Sequence, residues 1–362
     1  MQINTVFLNV LTLSIQFADI GFSYLRRFIM SEIITPGTGG NRHIPYNERT
    51  GNESVVYFTR DLSAEGLKKI YERVNDNMTG KVAIKLHTGE QHGPNIIPRP
   101  WVENLIKTDL PQAKIVETNT YYEGDRYTTE AHRKTLEVNG WTFCPVDIMD
   151  EEGTVNIPVK DGKWFTYMTM GKNITNYDSM LVLTHFKGHT QGGFGGSAKN
   201  IGIGCADGRI GKAMIHTTPS SDDQWDIAKE EFMERMMESA KAVVDYFGSN
   251  ITFINVMRNM SVSCDCEGTA AMPVVTPNVG ILASTDICAI DTACVDLVYA
   301  MNEEDHKDLV ERMESRHGLR QLSYMHELGM GNTRYKLIDI DNSDTIISAK
   351  QAVADVVPFE AE

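Results

Sequence analysis

The sequence has little positive charge and few cysteines for its length. Its 362 residues include 34 Lys and Arg against 49 Asp and Glu, a formal net charge of -15. Nucleic-acid binding needs a basic surface, so this balance argues against a nucleic-acid partner. Six cysteines in a chain of this size are not the dense framework of a small secreted domain. We therefore expect a reducing, cytoplasmic environment.

The sequence also lacks an uninterrupted apolar run that is long enough to span a bilayer. Residues 1–24 are the most apolar stretch, but Gln16 and Asp19 interrupt them, and two arginines follow instead of preceding them. A secretory signal carries its positive charge first, and a spanning helix needs about 20 apolar residues. We interpret residues 1–29 as a leader, or as residues wrongly included upstream of the true translation start. An amphipathic element or a membrane anchor is the alternative.

Apolar segments of strand and helix length alternate through residues 55–340, between an extended arm at 30–54 and a C-terminal tail at 341–362. Most strand candidates are uniformly apolar, which is typical of strands covered on both faces. The pattern predicts an α/β fold, a mostly parallel or mixed sheet flanked by helices in α/β/α layers, as one unit or as two lobes meeting near residue 218. The predicted strands are Val55–Thr59, Lys81–Leu86, Lys114–Thr118, Thr142–Val146, Met180–Thr184, Ile251–Val256, Val279–Ala283 and Tyr335–Asp339, and the main helices are Ser63–Val74, Arg99–Leu110, Thr128–Asn139, Ser220–Phe247 and Asp291–Met301.

The segment Asp178–His216 has the strongest functional signal. Its apolar strand leads directly into side chains that bind ligands or move protons, and into a cluster of glycines. Such glycines let backbone N–H groups approach a ligand, and open α/β sheets bind ligands where a strand ends in such a loop. The loop matches neither the P-loop nor the Rossmann spacing. We predict catalytic roles for His185, Lys187 and His189, and binding of an anionic substrate or cofactor by Gly192, Gly193, Gly195, Gly196, Lys199 and Asn200.

Two cysteines, Cys264 and Cys266, follow a predicted strand with one residue between them. Thiolates favour zinc, copper or iron–sulfur clusters. Cys205 is the expected third ligand if the two strand ends lie side by side, and His185, His189 or a non-protein group is the expected fourth. The alternative is that the thiols are incidental. The other cysteines lie in apolar segments and are interpreted as core residues: Cys144, Cys288 and Cys294.

A third polar group follows the predicted strand Lys81–Leu86. It contains His87, Glu90 and His92, whose side chains suit metal binding or acid–base chemistry. A plain polar loop explains the same residues equally well.

Four motifs resemble a family catalogued as domain of unknown function 362, whose members are often labelled Fe–S center proteins. They are HFKGH, GGFGGSAKNIGIGCADGRIGK, NVMRNMSVSCDCEG and VGILASTDICAIDTACVDLV. The resemblance extends over roughly residues 55–340 and implies an iron–sulfur cluster. Many members carry a ferredoxin cassette, C-x2-C-x2-C-x3-C-P, which this sequence lacks. The glycine-rich segment is also similar, more weakly, to the nickel-cofactor lactate racemase group.

Three functional hypotheses follow. The first is a cytoplasmic protein that binds a metal or an iron–sulfur cluster, performs redox or cofactor-assisted chemistry on a small anionic substrate and has a redox partner protein. Zinc or another divalent metal is the alternative to the cluster. The second is a cluster-free enzyme that binds its anionic ligand through the glycine-rich loop, with His189 as the acid–base group. The third is a non-catalytic partner in electron transfer or assembly.

Overall fold

A nine-stranded mixed sheet forms the centre of the molecule in a computed structural model that describes residues 40–360. The strand order across the sheet is β13-β12-β1-β11-β10-β7-β2-β3-β4, and two smaller hairpins pair β5 with β6 and β8 with β9. The strands are β1 (Glu53–Thr59), β2 (Val82–Lys85), β3 (Lys114–Glu117), β4 (Val146–Ile148), β5 (Thr154–Pro158), β6 (Tyr167–Gly171), β7 (Ser179–His185), β8 (Lys187–His189), β9 (Gly193–Gly195), β10 (Ile251–Met257), β11 (Gly280–Ser284), β12 (Arg334–Asp339) and β13 (Thr345–Ile347).

Ten α-helices connect or flank these strands in the described part of the chain. Ser63 and Thr128 accept hydrogen bonds from backbone N–H groups at the starts of the first and third helices, where the sequence predicts helix starts. The helices are α1 (Ala64–Tyr71), α2 (Arg99–Thr108), α3 (Thr129–Val138), α4 (Ser197–Gly204), α5 (Ile210–His216), α6 (Lys229–Phe247), α7 (Ile287–Ala300), α8 (Glu303–Ser315), α9 (Arg320–Glu327) and α10 (Ala349–Ala352).

Both faces of the sheet are buried, because alternate residues of its strands enter two different cores. Along β7, Leu181 and Leu183 pack with residues of α1, α2 and α3. Met180 and Val182 belong to the other core, which contains residues of α4, α6 and α7. A side-chain period of two in a strand covered on both sides accounts for the uniformly apolar sequence. The predicted α/β/α layers and mixed sheet are therefore confirmed.

Most of the sheet is parallel, and this alignment positions the site. Strands β4, β3, β2, β7 and β10 run in the same direction, each hydrogen-bonded to the next. The exceptions are β11, which is antiparallel to both of its neighbours, and the edge strand β13. The carboxyl ends of five parallel strands consequently meet at one edge.

Three local predictions differ from the structure. Residues 142–145 form no strand, and β4 begins only at Val146. The helix predicted to begin at Ser220 begins at Lys229, because the residues before Lys229 form local hydrogen bonds instead of helical ones. Ser221 Oγ accepts from the Asp223 N–H, and Thr218 pairs with Ser221. Such short polar side chains compete with helix formation. The tail after residue 340, in which we predicted no strand or helix, contains the edge strand β13 and the short helix α10.

The predicted leader at residues 1–29 lies outside the described residues, as does the arm as far as residue 39. From residue 40 the arm packs on α7, where the Arg49 guanidinium binds the Asp296 carboxylate and the Ile44 carbonyl. Among the helices of residues 40–360, none combines the length and the apolar character needed to cross a bilayer.

Candidate functional site

A cavity of about 370 Å³ lies at the carboxyl edge of the parallel strands. Four of these five strands contribute to its wall: His87 follows β2, Glu117 ends β3, Lys187 follows β7, and Cys266 lies beyond β10. This is the edge where open α/β sheets bind ligands. The segment that connects α5 to α6 borders the cavity with Gln224 and Trp225, and the Gln191 amide donates to the Gln224 carbonyl.

The structure brings His189, Cys264 and Cys266 together. One nitrogen or sulfur atom from each lies within 4.8 Å of the other two. Cys264 is fully buried, whereas Cys266 is partly exposed and borders the cavity. Two thiols and an imidazole at this spacing are able to hold a metal ion.

Cys264 is in an environment that favours its thiolate. The pKa of Cys264 is held well below its usual range by a hydrogen bond from the Cys266 thiol and by the Lys199 ammonium, whose Nζ lies 3.7 Å from Sγ. The backbone N–H of Cys266 also points at this sulfur, at 3.4 Å. The same hydrogen bond, in which the Cys266 thiol donates to the Cys264 sulfur, raises the pKa of Cys266. The pair therefore holds one thiolate and one thiol.

The ring of His189 is oriented by backbone N–H groups. Its Nδ1 accepts from the N–H of Gly192 at 2.8 Å and of Gln191 at 3.3 Å. In a neutral imidazole one nitrogen accepts and the other carries the proton, so the proton lies on Nε2. His189 consequently presents an N–H donor on its remaining side.

Asp265, between the two cysteines, is held by both of the other residues that we predicted to be catalytic. Its carboxylate lies 2.9 Å from His185 Nδ1 and 3.0 Å from Lys187 Nζ. The second nitrogen of His185 lies 2.6 Å from the Arg258 carbonyl, so both ring nitrogens are engaged. Burial opposes ionisation of Asp265, but these two partners hold its pKa below its usual range. His185 and Lys187 therefore position the turn that carries the cysteines.

The glycine-rich segment is a hairpin followed by a helix, not an open loop. The Asp291 carboxylate accepts from the N–H groups of Ser197 and Ala198, which fills the anion site at the start of α4. A Cβ on Gly196 would lie 2.4 Å from that carboxylate, and only Gly193 of the four predicted binding glycines has a positive φ, +78°. Of those four glycines, Gly196 borders the cavity. Gly193 and Gly196 therefore accommodate close packing within the protein.

The other predicted binding residues have different environments. Asn200 donates to Thr184 Oγ1 and to the Leu183 and Lys85 carbonyls, which links the ends of β2 and β7. Lys199 borders the cavity beside the thiolate. Cys205 follows α4 into the hydrophobic core, where burial raises the pKa of its thiol to about 12, and the His–Cys–Cys group does not include it.

Sequence reasoning missed a buried network on the opposite wall. Lys85 Nζ lies 2.8 Å from Glu117 Oε2, and the other carboxylate oxygen lies 3.4 Å from His87 Nδ1. Burial alone would raise the pKa of Glu117, but the Lys85 ammonium holds this pKa well below its usual range. Burial and the Arg126 charge lower the pKa of His87, so its ring is neutral. Lys85 and Glu117 each follow buried apolar residues at the end of a strand, where an unpaired charge would be costly, but the sequence alone does not show that both are buried.

The cavity wall is positively charged, in contrast to the chain as a whole. Glu117 and Glu267 are its carboxylates, against five cations: Lys85, Arg126, Lys187, Lys199 and Lys212. Three of the cations have carboxylate partners within residues 40–360, while Lys199 and Lys212 have none within 4 Å there. An anion entering the cavity would find two lysine side chains that have no carboxylate partner among the described residues.

Two of the solved structures that resemble this chain have only weak similarity to it. The lactate racemase apoprotein from Thermoanaerobacterium thermosaccharolyticum has a TM-score of 0.39 and 11% identity, covering 83% of this chain and 86% of that chain. A Thermotoga maritima protein from a structural genomics programme has a TM-score of 0.33 and 10% identity, covering 71% and 57%. Neither similarity is strong enough to bear on function. Comparison with curated proteins gave no significant match.

The family models gave one assignment, and it covers the segments that build the site. The matched residues, 82–296, run from β2 into α7 and include the histidine, lysine and cysteine residues of the cavity. They make up more than half of the chain. The chain therefore belongs to the family described as Domain of unknown function (DUF362).

Proposed function

We propose that this protein is an enzyme that acts on a small organic anion bound in the cavity. The observation that carries this proposal is the pair of cavity lysines, Lys199 and Lys212, that have no carboxylate partner within the described residues. A cationic pocket in a chain of net charge -15 selects anions by its local field. The reactive groups beside the cavity are Cys266, which is paired with the buried Cys264, and His87.

The His–Cys–Cys group supports a single metal ion better than an iron–sulfur cluster. Clusters are usually held by four cysteines, whereas the described residues bring together two cysteines and one histidine. Zinc bonds of about 2.0–2.3 Å place neighbouring ligand atoms of a tetrahedral ion roughly 3.3–3.8 Å apart, and the three ligand atoms here lie within 4.8 Å of one another. Cys264, Cys266 and His189 would hold zinc with its fourth position open. A bound zinc ion would polarise an oxygen of the substrate or activate a water molecule.

A metal-free thiol site is the second candidate, and the orientation of His189 favours it. A histidine that ligates a metal through Nε2 normally donates a proton from Nδ1. Here Nδ1 accepts from the Gly192 N–H. Zinc binding by His189 would therefore have to break that hydrogen bond, whereas a thiolate at Cys264 accepts the Nε2 proton without any change.

His87 is the acid–base group that we propose for either form. Its Nδ1 faces the Glu117 carboxylate, while its buried Nε2 has no hydrogen-bond partner within the described residues. The ring borders the cavity. A carboxylate that orients a neutral imidazole leaves the second nitrogen ready to take a proton from a bound molecule.

Metal content and anion binding test this function separately. Anaerobically purified protein would be assayed for bound metals and titrated with zinc, together with the Cys264→Ser, Cys266→Ser and Cys144→Ser variants. We expect one zinc ion per chain, weakened at least about 100-fold by either site variant and unchanged in the Cys144 control. Stoichiometric iron and sulfide would contradict a site for a single metal ion. If the protein does not bind zinc, the metal-free thiol site is the remaining candidate.

Anion binding would be measured by calorimetry with oxalate, glyoxylate and pyruvate. We expect binding that weakens at least about tenfold in Lys199→Gln, since a buried charged partner contributes a few kcal/mol. An exposed lysine changed in the same way, Lys350→Gln, is the matched control. If none of these anions or inorganic phosphate binds, the proposed function is wrong.

A further inference from the structure

Lys212 is a buried lysine with an unusual set of partners. It lies on α5, its side chain borders the cavity, and it is 4% exposed. Its Nζ donates to Thr118 Oγ1 at 2.7 Å and to the Asn119 carbonyl. The Thr118 hydroxyl donates its own proton to the Ala206 carbonyl at 2.9 Å, so toward the lysine it is an acceptor. Both partners are therefore neutral oxygen acceptors.

This environment accommodates a neutral amine and stabilises an ammonium ion less well than water does. Two N–H groups meet two acceptors, and the remaining tetrahedral position holds the lone pair. An ammonium would carry a third N–H and a charge, yet no carboxylate within residues 40–360 pairs with it. The nearby Asp150 carboxylate accepts instead from the N–H groups of Asn119 and Gly208.

The titration of Lys212 agrees with this geometry. Burial lowers the pKa of Lys212 to about 8, even though the Asp150 and Glu117 carboxylates act in the opposite direction. Roughly a tenth of the molecules then carry the neutral amine at pH 7, against well under a thousandth for an exposed lysine. A desolvated lysine of this kind is the amine that enzymes use as a nucleophile.

We propose that Lys212 forms an imine with the carbonyl carbon of a small oxo acid. The Nζ lone pair forms the new C–N bond, and the carbonyl oxygen leaves as water with the two amine protons, so that neither an oxidant nor a reductant is consumed. The acid group of the substrate would bind Lys199, which is why this inference rests on the proposed function. The substrate therefore needs an aldehyde or ketone group that reacts with Lys212 and an anionic group that binds Lys199.

Reductive trapping tests the imine directly. The protein would be incubated with glyoxylate, pyruvate or 2-oxoglutarate and sodium cyanoborohydride, and the alkylated lysines located by peptide mass spectrometry. We expect Lys212 to be labelled at least about tenfold faster than the exposed Lys350, with half-maximal labelling near pH 8. Lys212→Arg, checked for folding by circular dichroism, should lose this label and keep the labelling of Lys350.

Calorimetry with the same oxo acids, without the reductant, separates the two proposals. Binding without selective trapping at Lys212 would overturn the imine and leave the anion-binding function intact. Equal labelling of Lys212 and Lys350 would also overturn it. If an oxo acid neither binds nor labels Lys212, and oxalate and phosphate also fail to bind, both proposals are wrong.

Discussion

Lys85 and Glu117 form a buried ion pair between neighbouring parallel strands, with 2.8 Å between Nζ and Oε2. Each is the last residue of its strand, and each side chain is at most 3% exposed. The same carboxylate accepts from the backbone N–H of Thr88 and faces His87. This one acid therefore connects the end of the sheet to the proposed proton-transfer group.

Removing the charge of Glu117 should destabilise the protein strongly. In Glu117→Gln the Lys85 ammonium stays buried without its counter-ion, and we expect the free energy of unfolding to fall by about 3–5 kcal/mol. Urea unfolding followed by circular dichroism measures this. The exposed pair Glu103–Lys107 is the control, since Glu103→Gln should cost under about 1 kcal/mol. A similar small loss in Glu117→Gln would contradict the buried pair.

Two adjacent glycines should respond differently to alanine. In Gly196→Ala the new Cβ would meet the Asp291 carboxylate at 2.4 Å and displace it from the start of α4, at a cost of about 1–3 kcal/mol. In Gly195→Ala the nearest atom, Lys187 Cε, lies 3.6 Å away, an ordinary contact. Thermal unfolding of both variants tests the packing. Equal melting temperatures would show that Asp291 is not held at this position.

Acid should destabilise the protein through His132. Burial and the Arg126 charge lower the pKa of His132 to about 3, and its Nε2 has no partner within residues 40–360. The unfolded chain binds this proton near pH 6.5 and the folded chain does not. Stability is therefore present above about pH 6.5 and is lost as pH falls toward 3, by up to about 1.4 kcal/mol per pH unit.

The variant His132→Gln should remove that contribution and flatten the dependence of unfolding free energy on pH between about 6.5 and 5. His92 is exposed, so His92→Asn is the control and should leave the slope unchanged. Asparagine also tolerates the positive φ of 60° at that position. If the slope of His132→Gln equals that of the unmodified protein, the histidine is not neutral in the folded state.

Ligand binding should change the fluorescence of Trp225, which borders the cavity yet is 59% exposed. An anion that fills the cavity would shield this indole from water, and we expect its emission to move to shorter wavelength. Trp225→Phe should abolish the shift during a titration with oxalate. Trp141 is 2% exposed and does not line the cavity, so Trp141→Phe should retain the shift if the variant folds.

The sheet could be predicted from the sequence because its strands are apolar on both faces. The runs around Met180 and Ile251 were identified for this reason, and they pair in parallel. The helix predicted over Ser220–Phe247 is present from Lys229, but its predicted start was wrong because the capping residues bond locally and Ile227 lies in the core. Apolar periodicity alone does not distinguish these outcomes.

Proximity in the site was harder to predict than the identity of its residues. Cys264 and Cys266 lie beside His189, one of the residues expected there, whereas Cys205, which was expected with them, is not part of this group. The helix α4 was not predicted, and it carries Cys205 into the core. Glu117 and Lys212 were passed over, since a single charge beside an apolar segment is usually solvated, and only the fold reveals that both are buried.

The position of β1 has a consequence for how the chain is made. Its neighbours are β11 and β12, so its partners begin at Gly280, about 220 residues later. At roughly 5–20 residues per second, this strand waits on the order of 10–45 seconds on the ribosome before it can pair. The strands that build the cavity, β2 to β10, are complete before then. An apolar strand left unpaired for that time is a natural binding site for chaperones. Since β1 pairs only after the cavity strands are complete, its absence would not by itself prevent those strands from pairing.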